Sequence, residues 1–129
     1  MAGYSINIEE KTLSNNNFRE VLFTGPHSQL VVMTLQPGEE IGLERHETHD
    51  QFIRVEEGEG YAVLDGERHP LADGVAVVIP SGTEHNVVNT SDSAPMRLYT
   101  LYAPAEHPDG TVHKTKAEAD EYERQHHGH

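Results

Sequence analysis

The sequence predicts an all-β protein closed by antiparallel pairing, and three observations point there. Short β-branched and apolar runs recur roughly every 8–12 residues from Phe18 onward. Gly, Pro, Asn and Asp punctuate them with turn chemistry. No stretch before residue 114 has the length and periodicity of an ordinary helix.

Taken in order, the candidate strands are 19–23, 29–36, 51–56, 60–64, 75–79, 85–89 and 96–102. Thr24-Gly25-Pro26, Pro37-Gly38, Glu57-Gly58-Glu59-Gly60, Asp65-Gly66 and Pro80-Ser81-Gly82 separate them. Asp65-Gly66 stands directly between the runs YAVL and ERHPL, a strong two-residue hairpin signal. In the first of those runs Tyr61 and Val63 share one face and Ala62 and Leu64 the other, so the strand is expected to be buried on both sides. Pro80 is expected at the second position of a type I turn and Gly82 at the fourth, which fixes how the strand from His85 enters. Val31, Val32 and Met33 read either as core or as surface paired across a dimer. Beyond residue 114 the chain is charged, with only Ala117, Ala119 and Tyr122 apolar, and a short exposed helix or a flexible tail is expected. The layout is therefore an N-terminal segment (1–18), a β domain (19–104) and a C-terminal tail (105–129).

At 129 residues the chain suits one domain with a real core. Its formal charge of -13, from 22 acidic against 9 basic side chains, repels phosphate backbones and anionic lipid. Neither nucleic acid nor a membrane is expected as a partner. No run approaches the roughly 18 apolar residues of a membrane helix, and MAGYSINIEEK lacks a basic-then-apolar leader pattern, so a soluble cytoplasmic protein is expected. With no cysteine there is no thiolate nucleophile and no sulfur ligand, and any metal must be held by His nitrogen and oxygen donors.

Two stretches carry the chemistry: Gly38-EEIGL-Glu44-R-His46-ETHD-Gln51-FIRVEE-Gly58 and Gly74-VAVVI-Pro80-S-Gly82-TE-His85-NVV-Asn89. Their spacing resembles the two-part cupin signature, G-x5-H-x-H-x3-4-E-x6-G and G-x5-P-x-G-x2-H-x3-N. The second part matches at every defined position. The first keeps its register, with Glu44 where a His is expected and Gln51 where a Glu is expected. The resemblance covers about residues 36–102 and implies a jelly roll or conical β-barrel, a divalent metal ion such as Fe, Mn, Ni, Zn or Co, and a homodimer. Members range from dioxygenases, isomerases and decarboxylases to storage and sensor proteins, so the fold alone says little about the reaction.

Carried onto this chain, the resemblance implies metal ligands at Glu44, His46, Gln51 and His85. Glu44 and His46 stand two apart and project to one side of a strand. The odd separation of His46 and Gln51 requires a bend between them if both are to reach one cavity. Glu44, His46 and His85 are two imidazoles and a carboxylate, the donor set of non-haem Fe(II) sites, and the exchange at 44 and 51 keeps one anionic ligand. His49 could replace Gln51 but is expected on the exposed turn, and Asn89 is expected to tie down a loop. His27, His69, His107 and His113 are taken as surface residues. His126, His127 and His129 in the tail have no fixed geometry. The expected function is that of a metalloenzyme acting on a small molecule, of oxygenase or isomerase type. The alternative is a non-catalytic cupin that binds or senses a small molecule or sugar. A sugar-phosphate isomerase has little support, because Arg45, Arg54 and Arg68 are scattered.

Overall fold

Alternation of inward apolar and outward polar side chains turns the middle of this chain into two antiparallel sheets that share an apolar interior. The computed structural model describes residues 2–127. Its elements are α1 (Ile8–Ser14), β1 (Arg19–Thr24), β2 (Gln29–Leu35), β3 (Asp50–Glu57), β4 (Gly60–Leu64), β5 (Glu67–Leu71), β6 (Ala76–Ile79), β7 (His85–Asn89), β8 (Met96–Ala103), β9 (Val112–His113) and α2 (Lys116–His127). One sheet has the order β6-β3-β8-β2-β1-β9 and the other β5-β4-β7. The jelly-roll expectation holds, with helix rather than flexible chain at the described C-terminal end.

Register sorts the interior into rows. Gln29, Tyr102, Gln51 and Ile79 lie side by side across β2, β8, β3 and β6; Val31, Thr100, Ile53 and Val77 form the next row; Met33, Leu98 and Val55 form the third. Burying an aliphatic side chain in such rows contributes about 1.5–3 kcal/mol. The first row is different, because it buries two amides and a phenol at one end of the core. That polar end is where the site forms. Val31, Val32 and Met33 are fully buried within the chain, so the run is core and not a paired surface.

Several expectations change. Asp65 and Gly66 both adopt positive φ, at 47° and 82°, as a two-residue hairpin turn demands, and β5 forms from the ERHPL run. On β4 only Ala62 is fully buried, so that strand has one interior face, not two. The Pro80 turn is shifted by one residue: the Pro80 carbonyl accepts from Thr83 N–H at 3.2 Å, and Gly82 takes the third position with φ of 84°. A positive φ at the third position is the type II requirement. Gly60 is needed for close approach, since a Cβ there would lie 2.0 Å from the Val88 carbonyl oxygen.

Helix α1 departs from the sequence expectation, because it spans only seven residues with little apolar periodicity. It is fixed at its ends: Asn7 Oδ1 accepts from the Glu10 N–H at 3.0 Å, and Asn15 donates to Thr34 Oγ1 at 3.0 Å. Helix α2 docks through Ala119, which is buried, and through Tyr122, whose ring meets His113. His126 stacks on Tyr122. His129 lies outside the described residues, as does the side chain of His127.

Candidate metal centre

Glu44 and His85 meet as an isolated antiparallel pair in which each backbone N–H donates to the other's carbonyl at 2.8 Å. Residues that exchange both bonds stand directly opposite, so their side chains leave on the same side. That side is the interior, because His85 alternates inward with Val87 and Asn89 along β7 and all three are buried. His46 follows Glu44 by two residues and comes to the same place, with Nε2 at 4.0 Å from Glu44 Oε1. Its carbonyl accepts from Gly82 N–H at 2.8 Å, which pins the segment to the turn before β7. The ligand atoms of Glu44, His46 and His85 all lie within 4.8 Å of one another.

The acceptors beside each ring favour one nitrogen as the carrier of the proton. His85 Nδ1 lies 2.9 Å from the Thr83 carbonyl, which only accepts, so Nδ1 donates. His46 Nδ1 faces the Glu106 carboxylate, with Oε2 at 3.4 Å, which favours the proton on that nitrogen in the neutral ring. Each ring therefore turns an unprotonated Nε2 inward, and both Nε2 atoms are buried without a hydrogen-bond partner. The bend expected after His46 falls at Glu47 and Thr48, and Gln51 then enters the interior on β3. Its amide nitrogen donates to Thr100 Oγ1 at 3.0 Å, leaving Oε1 buried and unpartnered. Buried polar atoms are rarely left unsatisfied. Here three of them belong to residues of the two-part signature, and all three are electron-pair donors.

The carboxyl of Glu44 is pushed above its ordinary range by burial, with the Glu106 carboxylate adding to the rise; His46, Arg19 and His85 oppose it. A divalent cation reverses that balance by favouring the ionised acid. The trio therefore fits a cation, with two imidazoles and one carboxylate, and the Gln51 amide is buried on β3 opposite Tyr102.

Glu106 belongs to no sequence motif, so the sequence does not single it out. It sits in the loop after β8, which Gln29 clamps: Gln29 Oε1 accepts from the N–H groups of Glu106 at 3.1 Å and His107 at 3.0 Å, while its Nε2 donates to the His107 carbonyl at 2.7 Å. His49 is not on an exposed turn. Its Nε2 lies 3.0 Å from the Ala105 carbonyl and 3.2 Å from Glu106 Oε2, both acceptors, so that nitrogen keeps its proton. His46, His49 and Glu106 form a second trio with metal-ligand atoms, yet His49 Nε2 is engaged by the Ala105 carbonyl and both rings face the carboxylate as ion-pair contacts. The trio is thus a support layer that orients His46.

His27 is exposed and His69 lies near the surface, as expected. His113 is not a surface residue: it is buried on β9, opposite Arg19. Nor is His107, which packs edge-on against Tyr102 and is held down to about 3 by burial. Asn89 donates to the carbonyls of Leu35, Gln36 and Ala94 and touches no ligand group, which agrees with a loop-tying role.

Compared with known proteins, the chain matches the cupin domain family over residues 31–102. The chain is a cupin. It is 46% identical over 122 residues to YrkC, an uncharacterized protein of Bacillus subtilis (strain 168); the match covers 90% of this chain and 65% of the relative. The cupin thus spans just under two thirds of that relative's length. It is 43% identical over 112 residues to L612, an uncharacterized protein of Acanthamoeba polyphaga mimivirus, covering 84% of this chain and 70% of the relative. The crystal structure of BH2720 from Bacillus halodurans is similar with a TM-score of 0.90 at 45% identity, covering 93% of this chain and 95% of that one. Among the described residues of this cupin, no helix is long and apolar enough to cross a membrane.

Proposed function

We propose that this cupin is a metal-dependent enzyme acting on a small molecule, with a divalent cation held by Glu44, His46 and His85 and by Gln51 Oε1 as a further donor. The buried, unpartnered Nε2 atoms of His46 and His85 carry this assignment, each backed by an acceptor on the other ring nitrogen. When bound, such a cation supplies Lewis acidity toward a carbonyl or hydroxyl oxygen and, if redox-active, oxygen chemistry. The chain's own part is positional. Glu106 orients the His46 ring, Thr83 fixes the His85 ring, and the Tyr102 ring stands at 85° to that of His46.

Isomerase and oxygenase chemistry divide on the metal: only the second needs a redox-active ion. Turnover by the zinc-loaded protein under anaerobic conditions supports the isomerase class, whereas turnover confined to iron or manganese with oxygen supports the oxygenase class. Turnover that survives complete metal removal rejects both. A non-catalytic binding cupin is the second reading, favoured by Glu44 and Gln51 standing where the family signature has His and Glu. A ligand that copurifies and is recovered unchanged after prolonged incubation supports it.

A cytoplasmic homodimer belongs to the same proposal. Val78, Phe52, Leu101 and Leu30 form one outward cross-strand row on the larger sheet, and Val78 and Leu101 are exposed. Light scattering that gives a monomer mass at micromolar concentration rejects the dimer.

A further inference from the structure

The loop after β8 sets a second group of donors on the outer side of His46, and it uses neither Glu44 nor His85. His49 Nε2 lies 3.2 Å from Glu106 Oε2 and 3.0 Å from the Ala105 carbonyl oxygen, and His46 Nδ1 lies 3.4 Å from the same Glu106 oxygen. The ligand atoms of His46, His49 and Glu106 all fall within 4.8 Å of one another. Both contacts to Glu106 are long for charge-assisted hydrogen bonds, which close to about 2.7–2.9 Å. They approach the edge of a coordination tetrahedron instead, since donors held about 2.0–2.2 Å from one ion stand about 3.3–3.6 Å apart.

Two supports hold this group in place. Gln29 clamps the backbone of Glu106 and His107, so the Ala105 carbonyl and the Glu106 carboxylate are presented from a fixed loop. Thr48 Oγ1, 3.2 Å from His49 Nδ1, is placed to accept that nitrogen's proton when Nε2 carries an ion.

We propose that His46, His49, Glu106 and the Ala105 carbonyl form an outer seat for a second divalent cation. The three side chains are 13%, 16% and 20% exposed, so an ion can arrive from solvent. Two imidazoles, a carboxylate and a carbonyl oxygen, with no sulfur, suit four-coordinate Zn(II) or Co(II) better than Mg(II) or Ca(II), which take six or more oxygens. In the empty seat the same atoms orient His46, and an ion replaces the protons held between them. His46 is shared. When its Nε2 serves the inner centre, Nδ1 keeps its proton and water completes the outer seat, as in zinc sites with three protein ligands. The outer seat is therefore weaker whenever the inner one is full, but it does not depend on metal there.

The test uses the chain with His126, His127 and His129 changed to Ala. Adding Glu44→Gln and His85→Asn dismantles the inner centre. That protein is expected to bind one Co(II) by calorimetry, with the visible absorption of four-coordinate Co(II), and His49→Ala on top of it is expected to weaken binding at least about tenfold. A trio that only supports His46 has nothing to hold once Glu44 and His85 are gone. No binding at millimolar Co(II), or a loss of less than about tenfold with His49→Ala, therefore overturns the outer seat. If the inner-centre variant does not fold, the chain with Glu44 and His85 intact decides: a second, weaker Co(II) lost with His49→Ala supports the seat, and Co(II) binding that His49→Ala leaves unchanged overturns it. The two sites fail separately, because the inner centre is read through Glu44 and His85 and the outer seat through His49.

Discussion

Each imidazole at the centre works through two nitrogens, one turned to a fixed acceptor and one left bare toward the interior. For His46 the acceptor is Glu106, at 3.4 Å. Outer partners of this kind typically carry a 10–100-fold effect on metal affinity. Glu106→Ala is therefore expected to weaken Co(II) binding by about 10–100-fold in a chelator competition while leaving the far-ultraviolet circular dichroism unchanged; an affinity within about twofold of wild type contradicts the support role. At this scale the signature spacing singles out Glu44, His46, Gln51 and His85; alternation sends Glu44 and His46 to one side, and the long-range pairing of Glu44 with His85 completes the trio. Glu106, His49 and Arg19 are not legible in the same way. Their positions depend on long-range events, the Gln29 clamp on the loop after β8 and the pairing of β1 with β2 and β9, which no local pattern announces.

Among the elements, β7 serves both the site and the fold, with His85 at its start and Asn89 at its end. Asn89 is almost fully buried and supplies a donor to three backbone carbonyls while its Oδ1 accepts from Ser91 N–H at 3.0 Å. Asn89→Ala strips those carbonyls of a donor in a place water does not reach. The expected cost is about 2–4 kcal/mol in urea unfolding, with metal stoichiometry unchanged. A loss below about 1 kcal/mol, or a loss of metal, contradicts a purely structural Asn89. Strands are legible because their periods are short and Gly, Asp and Pro mark their ends; the Asp65-Gly66 hairpin is the clearest case. The Pro80 turn differs by one residue because a sequence shows which residues turn but not which peptide carries the positive φ. Helix α1 is hidden by its length, and β9 by having only two residues whose partner lies far away in the chain.

For the molecule as a whole, the buried histidines outside the centre set the response to acid. Burial, followed by the charge of Arg19, holds His107 down to about 3 and also lowers His113. An unfolded histidine titrates near 6.5. Below that value the unfolded chain takes up protons that the folded chain refuses, so stability is greatest above about pH 6.5 and falls as the pH drops toward about 3. His107 adds at most about 1.4 kcal/mol per pH unit to the slope. Replacing His107 and His113 by Asn in metal-free protein is expected to flatten stability between about pH 6 and 4 by chemical denaturation; an unchanged slope contradicts the assignment. The most direct test of the central claim is equilibrium dialysis against Co(II) of protein in which His126, His127 and His129 are replaced by Ala, so that the tail contributes no imidazole. One tightly bound ion per chain is expected, lost when His46 and His85 are also changed to Ala. No bound ion in the first protein, or the same ion count in both, contradicts a cation held at Glu44, His46 and His85.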